Sequence, residues 1–203
     1  MGLGHMGRSH AGNKGMARGE RVGLLSFDEI ARLVDQPRRK LEVIGDGHEA
    51  RRSGLRFVFD EDQDVADFVI GQLPHPITID EFGRFTTIGI AGPSGALIAG
   101  AIYHRWRKFD CELTFAASSP RWCRRGIVSA LFHYPFVQQG LERMTLIIGE
   151  NNPRALKLNL GLGFKIEGRV RKAYDGKNDA FILGMMRDEC KWIVGASSQQ
   201  QTT

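Results

Sequence analysis

The chain has 203 residues, a formal net charge of +5, and 42% hydrophobic and 25% charged residues. This length and composition are typical of a globular domain with a well-buried core. No apolar run reaches the roughly 20 residues of a membrane helix, no signal-peptide core is recognisable, and three cysteines predict no disulfide framework. We therefore expect a cytoplasmic protein with no membrane partner.

The excess of positive charge has a local source, because six basic residues lie between positions 105 and 125. They are Arg105, Arg107, Lys108, Arg121, Arg124 and Arg125. Such a patch suits either nucleic acid or a polyanionic cofactor. Since the aromatic and glycine signature of RNA-binding sheets is absent, the sequence favours the cofactor and predicts no specific nucleic-acid partner.

The first 54 residues differ in composition from the remainder. Residues 1–20 are rich in Gly, His, Arg and Lys without apolar periodicity, which predicts a disordered tail. Ser26 to Glu29 form a capping box and predict a short helix that ends before Pro37. The rest of 21–54 predicts an extended arm, which is a candidate surface for a homodimer or another assembly.

Residues 55–192 predict the folded domain, and 193–203 a disordered polar tail. Apolar periodicity predicts a strand, a helix, three strands, a helix, a strand, a helix and two strands. The predicted bounds are 55–59, 62–73, 86–91, 96–106, 109–117, 126–139, 143–148, 153–162, 164–172 and 179–186. Pro135 predicts a kink or an early end of the second helix. The fold class is α/β (α+β): a mixed, mostly antiparallel central sheet with helices on both faces, in which 109–148 supplies one parallel pair.

Two segments carry the most specific signal for a binding site. The first is a strand followed by a basic loop, with Gly126 at the start of a helix. A helix N-terminus binds phosphate through free N–H groups and partial positive charge, and glycine lets a ligand approach the backbone. The second segment, from Asn152 to Gly163, predicts a helix, a glycine and a new strand. Together they predict an anionic-cofactor site with a carboxylate, Glu112, on the neighbouring strand.

These segments resemble the GCN5-related N-acetyltransferase (GNAT) superfamily, bacterial or phage type. That family has a cofactor loop reading Gln/Arg-x-x-Gly-x-Gly/Ala and a later Asn-x-x-Ala-x-x-x-Tyr-x-x-x-Gly-Phe. The resemblance covers roughly residues 55–192 and implies the GNAT fold and an acetyl-CoA-dependent N-acetyltransferase. It implies an amine acceptor, either a protein N-terminus or lysine or a small amine, and a cleft where the family's third and fourth strands splay apart.

The resemblance also implies the residues that hold the cofactor. Backbone amides of residues 124–129 would bind it with the loop arginines, amides near Ala116 and Ala117 would position its arm, and Asn152 would contact that arm or the substrate side. The implied cofactor-binding set is Ala116, Ala117, Arg121, Arg124, Arg125, Gly126, Ile127, Val128, Ser129, Asn152, Arg154 and Ala155. No metal ligand is expected.

Glu112 is the candidate general base. It stands fourteen residues before Gly126, a spacing similar to that of a catalytic glutamate in the histone-acetyltransferase branch. Burial would raise the pKa of its carboxyl toward neutrality, as a base for an ammonium requires. The alternative is an exposed strand residue paired with Arg105 or Arg107 across the sheet.

Three positions depart from the family pattern. Cys123 replaces Gln or Arg, Val128 places a β-branched side chain where the pyrophosphate needs room, and Asn159 replaces the general-acid tyrosine. Tyr134 and Tyr174 are candidate substitutes for that acid, and we assign Tyr174 to the catalytic set. The missing tyrosine, Val128 and the basic N-terminal arm favour an alternative function, a weak or inactive GNAT-fold protein for binding or assembly, such as a phage virion or accessory component.

Overall fold

The computed structural model describes residues 54–193, which form seven strands and three α-helices. The strands are β1 (Arg56–Val58), β2 (Phe85–Ala91), β3 (Leu97–His104), β4 (Asp110–Ala117), β5 (Arg143–Gly149), β6 (Lys165–Val170) and β7 (Ala180–Met186). The helices are α1 (Asp62–Gln72), α2 (Arg125–His133) and α3 (Pro153–Leu162). The predicted element order is confirmed. The predicted N-terminal tail and helix, the arm up to residue 53, and all but the first residue of the C-terminal tail lie outside the described residues.

The strands form one sheet in the order β1-β2-β3-β4-β5-β7-β6. All neighbours are antiparallel except β4 and β5, the predicted parallel pair. That pair is short, because its register runs only from Asp110 opposite Arg143 to Glu112 opposite Thr145. β4 is therefore paired with β5 only at its start, and the two strands are open to each other beyond that point.

Pro135 ends α2 as the sequence predicts. The α-helix stops at His133, and the chain continues as a short π-helical turn over Tyr134–Gln138. Proline has no N–H to donate to the preceding turn, and its ring clashes with the carbonyl four residues earlier. The wider turn accommodates it, with the Gln139 N–H donating to the Tyr134 carbonyl at 3.0 Å.

Two apolar clusters hold the helices on opposite faces of the sheet. The larger one packs α2 against the sheet and contains Leu131, Phe136 and Met144. The smaller one lies under α1 and contains Ala66, Val69, Phe82, Ile102 and Ala116. Ile193, predicted to begin the tail, is instead buried in the larger cluster. Among the described residues, no helix combines the length and apolar character needed to cross a membrane.

Glycine at position 100 allows α1 to lie close to β3. A Cβ atom at Gly100 would stand 2.7 Å from Val69 Cγ2 and 3.0 Å from Val65 Cγ1. Both valines are fully buried in α1. The helix therefore approaches the sheet at a distance that only a residue without a side chain permits.

We predict that Gly100→Ala lowers the free energy of unfolding by about 1–3 kcal/mol, because overpacking forces α1 away from β3. Gly71→Ala, within α1 where nothing lies within 4 Å of the added Cβ, is the matched control. It should leave stability unchanged or raise it by up to about 1 kcal/mol. Urea unfolding followed by circular dichroism measures both, and equal stability of the two variants would contradict the packing account.

Candidate active site

A cleft of about 520 Å³ opens where β4 and β5 part. Beyond Glu112 and Thr145 the two strands are no longer paired, whereas β3 and β4 stay paired from His104 opposite Glu112 to Ala99 opposite Ala117. The expectation of a cleft between the third and fourth strands is therefore wrong for this chain, because that pair is closed along its length. The walls come from the outer half of β4 and its following loop, from 146–148 of β5 and from α3.

The parting leaves one edge of β4 without a strand partner. The Ser118 N–H donates to the Ile98 carbonyl at 3.0 Å, so it points toward β3. Backbone groups alternate along a strand, so the N–H of Ala116 also points toward β3. The N–H groups of Phe115 and Ala117 point the other way, into the cleft. Of the two predicted alanines, Ala117 is thus the one whose amide faces the cleft.

The loop that leaves β4 leads from the cleft to the N-terminus of α2. Cleft-lining residues continue through Ser119, Pro120 and Trp122 as far as Cys123. Pro120–Trp122 form a short 3-10 turn that the Ser119 hydroxyl caps by accepting from the Arg121 N–H. Cys123 is exposed and ends that turn, so the cleft reaches the loop two residues before α2 begins.

The first turn of α2 carries free backbone donors. Arg124 precedes the helix in an extended conformation and makes no side-chain cap. Its carbonyl accepts the Val128 N–H at 2.9 Å, so the N–H groups of Arg125, Gly126 and Ile127 have no acceptor within the helix. Of the amides predicted over 124–129, these three can meet an anion. The Arg124 N–H is already bonded to the Trp122 carbonyl at 2.7 Å.

The side chains around this turn divide into two groups. Those of Ile127 and Val128 are buried in the core, so Val128 does not fill the space outside the turn as its β-branched chain suggested. The Ser129 hydroxyl donates to the Trp192 carbonyl at 2.8 Å and fastens the C-terminal segment instead. The exposed group consists of Arg121, Arg124 and Arg125. The turn is therefore positively charged and open.

The start of α3 forms the opposite wall. Asn152 precedes the helix, and its side-chain oxygen caps the helix by accepting from the Ala155 N–H at 3.1 Å. Asn152, Arg154 and Ala155 all line the cleft. Asn159 lines it one turn further, with its side-chain amide donating to the Ala155 carbonyl at 2.9 Å. Gly163 ends the helix in the left-handed conformation, with a φ of 117°.

Glu112 stands in the last paired position of β4 and β5, directly before Leu113, where the lining of the cleft begins. Its residue is only 9% exposed, so the alternative is wrong about exposure, although the pairing with Arg105 that it included is present. Burial raises the pKa of its carboxyl, Arg105 and Arg107 oppose that rise, and Asp110 adds to it. Arg105 is near, with its Nε 3.9 Å from Oε2 of Glu112, but the guanidinium is largely exposed and burial dominates.

His104 faces Glu112 across β3 and β4, a neighbour that the sequence motifs did not single out. Its Nε2 lies 4.0 Å from Glu112 Oε1 and 3.0 Å from Thr114 Oγ1. Its Nδ1 is buried without a hydrogen-bond partner, and the Phe82 ring packs edge-on against the imidazole. Burial, helped by Arg105, lowers the pKa of His104 to about 4. The imidazole is therefore neutral near pH 7, and its contact with Glu112 is not an ion pair.

Tyr174 lines the cleft from the connection between β6 and β7. Its ring lies over Gly149, where an added Cβ would clash with it, and meets the His75 ring at 4.5 Å between centroids. Burial, with Asp175 nearby, raises the pKa of the phenol, so it is protonated and able to donate near pH 7. Tyr134, the other candidate acid, is buried against the Tyr103 and Trp106 rings. In the described part of the chain, no three His, Cys, Asp or Glu side chains are grouped to hold a metal.

Comparison with solved structures identifies this architecture as the GNAT fold. The chain is similar to spermidine N-acetyltransferase from Vibrio cholerae in complex with CoA and spermine, with a TM-score of 0.53, 15% identity, and coverage of 68% of this chain and 98% of that one. It is similarly close to the dodecameric form of that enzyme in an intermediate state, with a TM-score of 0.54, 15% identity and coverage of 67% and 95%. No family model and no curated protein matches the sequence.

The depressed pKa of His104 predicts a loss of stability in acid. The imidazole has a pKa near 6.5 when unfolded and about 4 when folded, so the unfolded state binds the proton first as the pH falls through that window. At about 1.4 kcal/mol per pKa unit, we expect the free energy of unfolding to drop by about 2 kcal/mol from this residue between about pH 7 and about pH 4.5.

Urea unfolding of wild type, His104→Gln and His133→Gln at both pH values measures this contribution. His133 is only half-buried and its pKa is also lowered. We expect His133→Gln to show most of the wild-type drop in the free energy of unfolding in acid, and His104→Gln to show little of it. An acid loss that is identical in wild type and His104→Gln would show that His104 is not the responsible group.

Proposed function

We propose that this chain, which has the GNAT fold, is an N-acetyltransferase that moves an acetyl group from acetyl-CoA to a primary amine. One observation carries the proposal. The lining of the opening between β4 and β5 begins at Leu113, next to Glu112, a buried carboxylate with a raised pKa, and it ends at Cys123, two residues before the uncapped N-terminus of α2. A base at one end and an anion-binding turn at the other match the two ends of a thioester donor that carries phosphates.

The cleft and the adjoining N-terminus of α2 fit coenzyme A. The amides of Arg125, Gly126 and Ile127 offer donors to phosphate oxygens at the positive end of α2. The inward N–H groups of Phe115 and Ala117 offer strand-like hydrogen bonds to an arm that contains amides. When bound, acetyl-CoA supplies an activated thioester. Everything else in the reaction is positioning and proton transfer by the chain.

Glu112 accepts the proton of the incoming ammonium at its carboxylate, directly or through water, so that the amine attacks the acyl carbon as a free base. The raised pKa makes this carboxylate a better base than an exposed glutamate. His104 remains neutral beside it and therefore does not compete by ion pairing. Tyr174 is protonated near pH 7, and its hydroxyl donates a proton to the leaving sulfur. It thereby acts as the general acid, a role that the amide of Asn159 cannot fill.

The charges near Glu112 favour an acceptor with a single ammonium, such as a protein N-terminus, a lysine or a small amine. Arg107 pairs with Asp110 at 2.7 Å, and Arg143 pairs with Glu167. These carboxylates are neutralised by their arginines, so they offer little attraction to a polycation. The solved structures are named as spermidine N-acetyltransferases, and spermidine is a polycation. In this chain the charges around Glu112 are balanced, which suits an acceptor that carries one ammonium.

A binding or assembly role with weak or no catalysis is the second candidate, either in the cytoplasm or in a virion. The observation that favours it is Asn159, at the position of the family's general-acid tyrosine. Its side-chain amide is bonded to the Ala155 carbonyl and supplies no acidic proton. Under this alternative the cleft would bind CoA without turnover, and a homodimer or larger assembly through the N-terminal arm would be the functional form.

Calorimetry with acetyl-CoA and an assay of amine acetylation separate these candidates. We predict that Glu112→Gln lowers kcat/KM by on the order of 10²–10⁴-fold while the affinity for acetyl-CoA stays within about threefold of wild type, because the variant keeps the phosphate-binding turn. The wild-type rate should rise with pH through a pKa above the ordinary glutamate value of 4.5, since the base must be ionised.

The matched control is Glu142→Gln, an exposed glutamate near the start of β5 with Arg187 3.7 Å away, which should leave kcat/KM unchanged. Turnover that is unaffected by Glu112→Gln would remove Glu112 from the mechanism. The absence of binding heat with acetyl-CoA at high micromolar concentration would sink the enzyme proposal altogether.

A further inference from the structure

A second, smaller cavity of about 30 Å³ lies between the sheet and helices α2 and α3. Its walls include Leu113, Leu131, Met144, Leu158 and Phe164, and every lining residue except Asn159 is hydrophobic. The amide nitrogen of Asn159 is already bonded to the Ala155 carbonyl. A cavity with so few polar partners stays free of water and binds apolar groups.

This cavity lies directly behind the closed end of the cleft. Leu113 follows Glu112 in β4, and Met144 precedes Thr145 in β5, so both flank the last paired position of the two strands. Side chains alternate across a strand, so Leu113 and Met144 point to the sheet face opposite that of Glu112. In the proposed reaction the amine that Glu112 deprotonates meets the acyl carbon, so the acyl group lies near this end of the cleft and the cavity lies on the other face of the sheet from the base.

The cleft and the cavity are neighbours. They share five lining residues: Leu113, Phe115, Trp122, Leu158 and Asn159. Leu158 lies in α3 and is 38% exposed, so it borders the cavity without being locked in the core.

We propose that this cavity receives the end of the acyl chain, so that the donor class is short-chain acyl-CoA, with propionyl and butyryl groups bound better than acetyl. The inference rests on the proposed function, since it places an acyl-CoA in the cleft. About 30 Å³ is roughly twice the space that one water requires, which suits one or two further carbons. A longer chain exceeds the cavity.

Burial sets the size of the expected effect. A methylene transferred from water to an apolar site contributes about 0.8 kcal/mol, or about a fourfold gain in affinity. We therefore expect the dissociation constant to fall about fourfold from acetyl-CoA to propionyl-CoA. Butyryl-CoA should bind at least as tightly as propionyl-CoA, and hexanoyl-CoA should bind no more tightly than butyryl-CoA.

Calorimetric titration of the full chain with CoA, acetyl-CoA, propionyl-CoA, butyryl-CoA and hexanoyl-CoA tests the proposal. Tightest binding of the three- or four-carbon acyl group supports it. Propionyl-CoA and butyryl-CoA that bind no better than acetyl-CoA would overturn it while leaving the proposed acetyl transfer intact. A lack of binding by CoA itself would instead overturn the proposed function and, with it, this inference.

A pair of variants on α3 ties the effect to the cavity. Leu158→Phe adds volume at a position that borders the cavity, and we expect the affinity ratio of propionyl-CoA to acetyl-CoA to fall by about fourfold. Leu160→Phe adds the same volume at a position that is 42% exposed and not among the residues lining either cavity, so the ratio should match wild type. Equal ratios in both variants would show that the acyl chain does not enter this cavity.

Discussion

The parting of β4 and β5 after Glu112 and Thr145 is the constraint on which the rest of the site depends. Inside a sheet every backbone N–H and C=O normally meets a neighbouring strand, and here the outer half of β4 has none on one side. The inward N–H groups of Phe115 and Ala117 therefore need partners from outside the sheet. The same parting begins directly after Glu112 and leads through a short loop to α2, so one interruption of pairing joins the neighbourhood of the proposed base to the anion-binding turn.

The sheet also separates two electrostatic environments. On the face under α1, burial keeps His104 neutral and makes Glu112 a stronger base, while Arg105 stands at the solvent side and limits that effect. On the other face, apolar side chains surround the smaller cavity. Near α2 the charge is positive. The phosphates of the cofactor, its acyl group and the incoming amine thus each meet surroundings of suitable polarity. All three lie close to β4 in the proposed reaction.

Local chemistry made much of the fold predictable from the sequence. Pro135 limits α2 through its missing N–H, and Gly163 ends α3 because its φ is positive. The contact between His104 and Glu112 was not predictable, since it depends on strand register, and neither motif contains the histidine. Val128 is a position where a local pattern misled: its β-branched side chain suggested an obstructed loop, but helix periodicity directs that side chain into the core. Where pairing stops between β4 and β5 is a tertiary property that no local pattern in the sequence encodes.

Amide NMR of ¹⁵N-labelled protein during titration with CoA tests whether the cofactor binds along the unpaired edge of β4 and at the start of α2. We expect the largest shifts on the amides of Arg125, Gly126 and Ile127 at the start of α2 and on those of Phe115 and Ala117 in β4. Amides of Ala116 and Ser118, which face β3, should change less than their neighbours. Saturable binding of CoA that leaves the α2 amides unchanged, or no binding at all, would contradict the account.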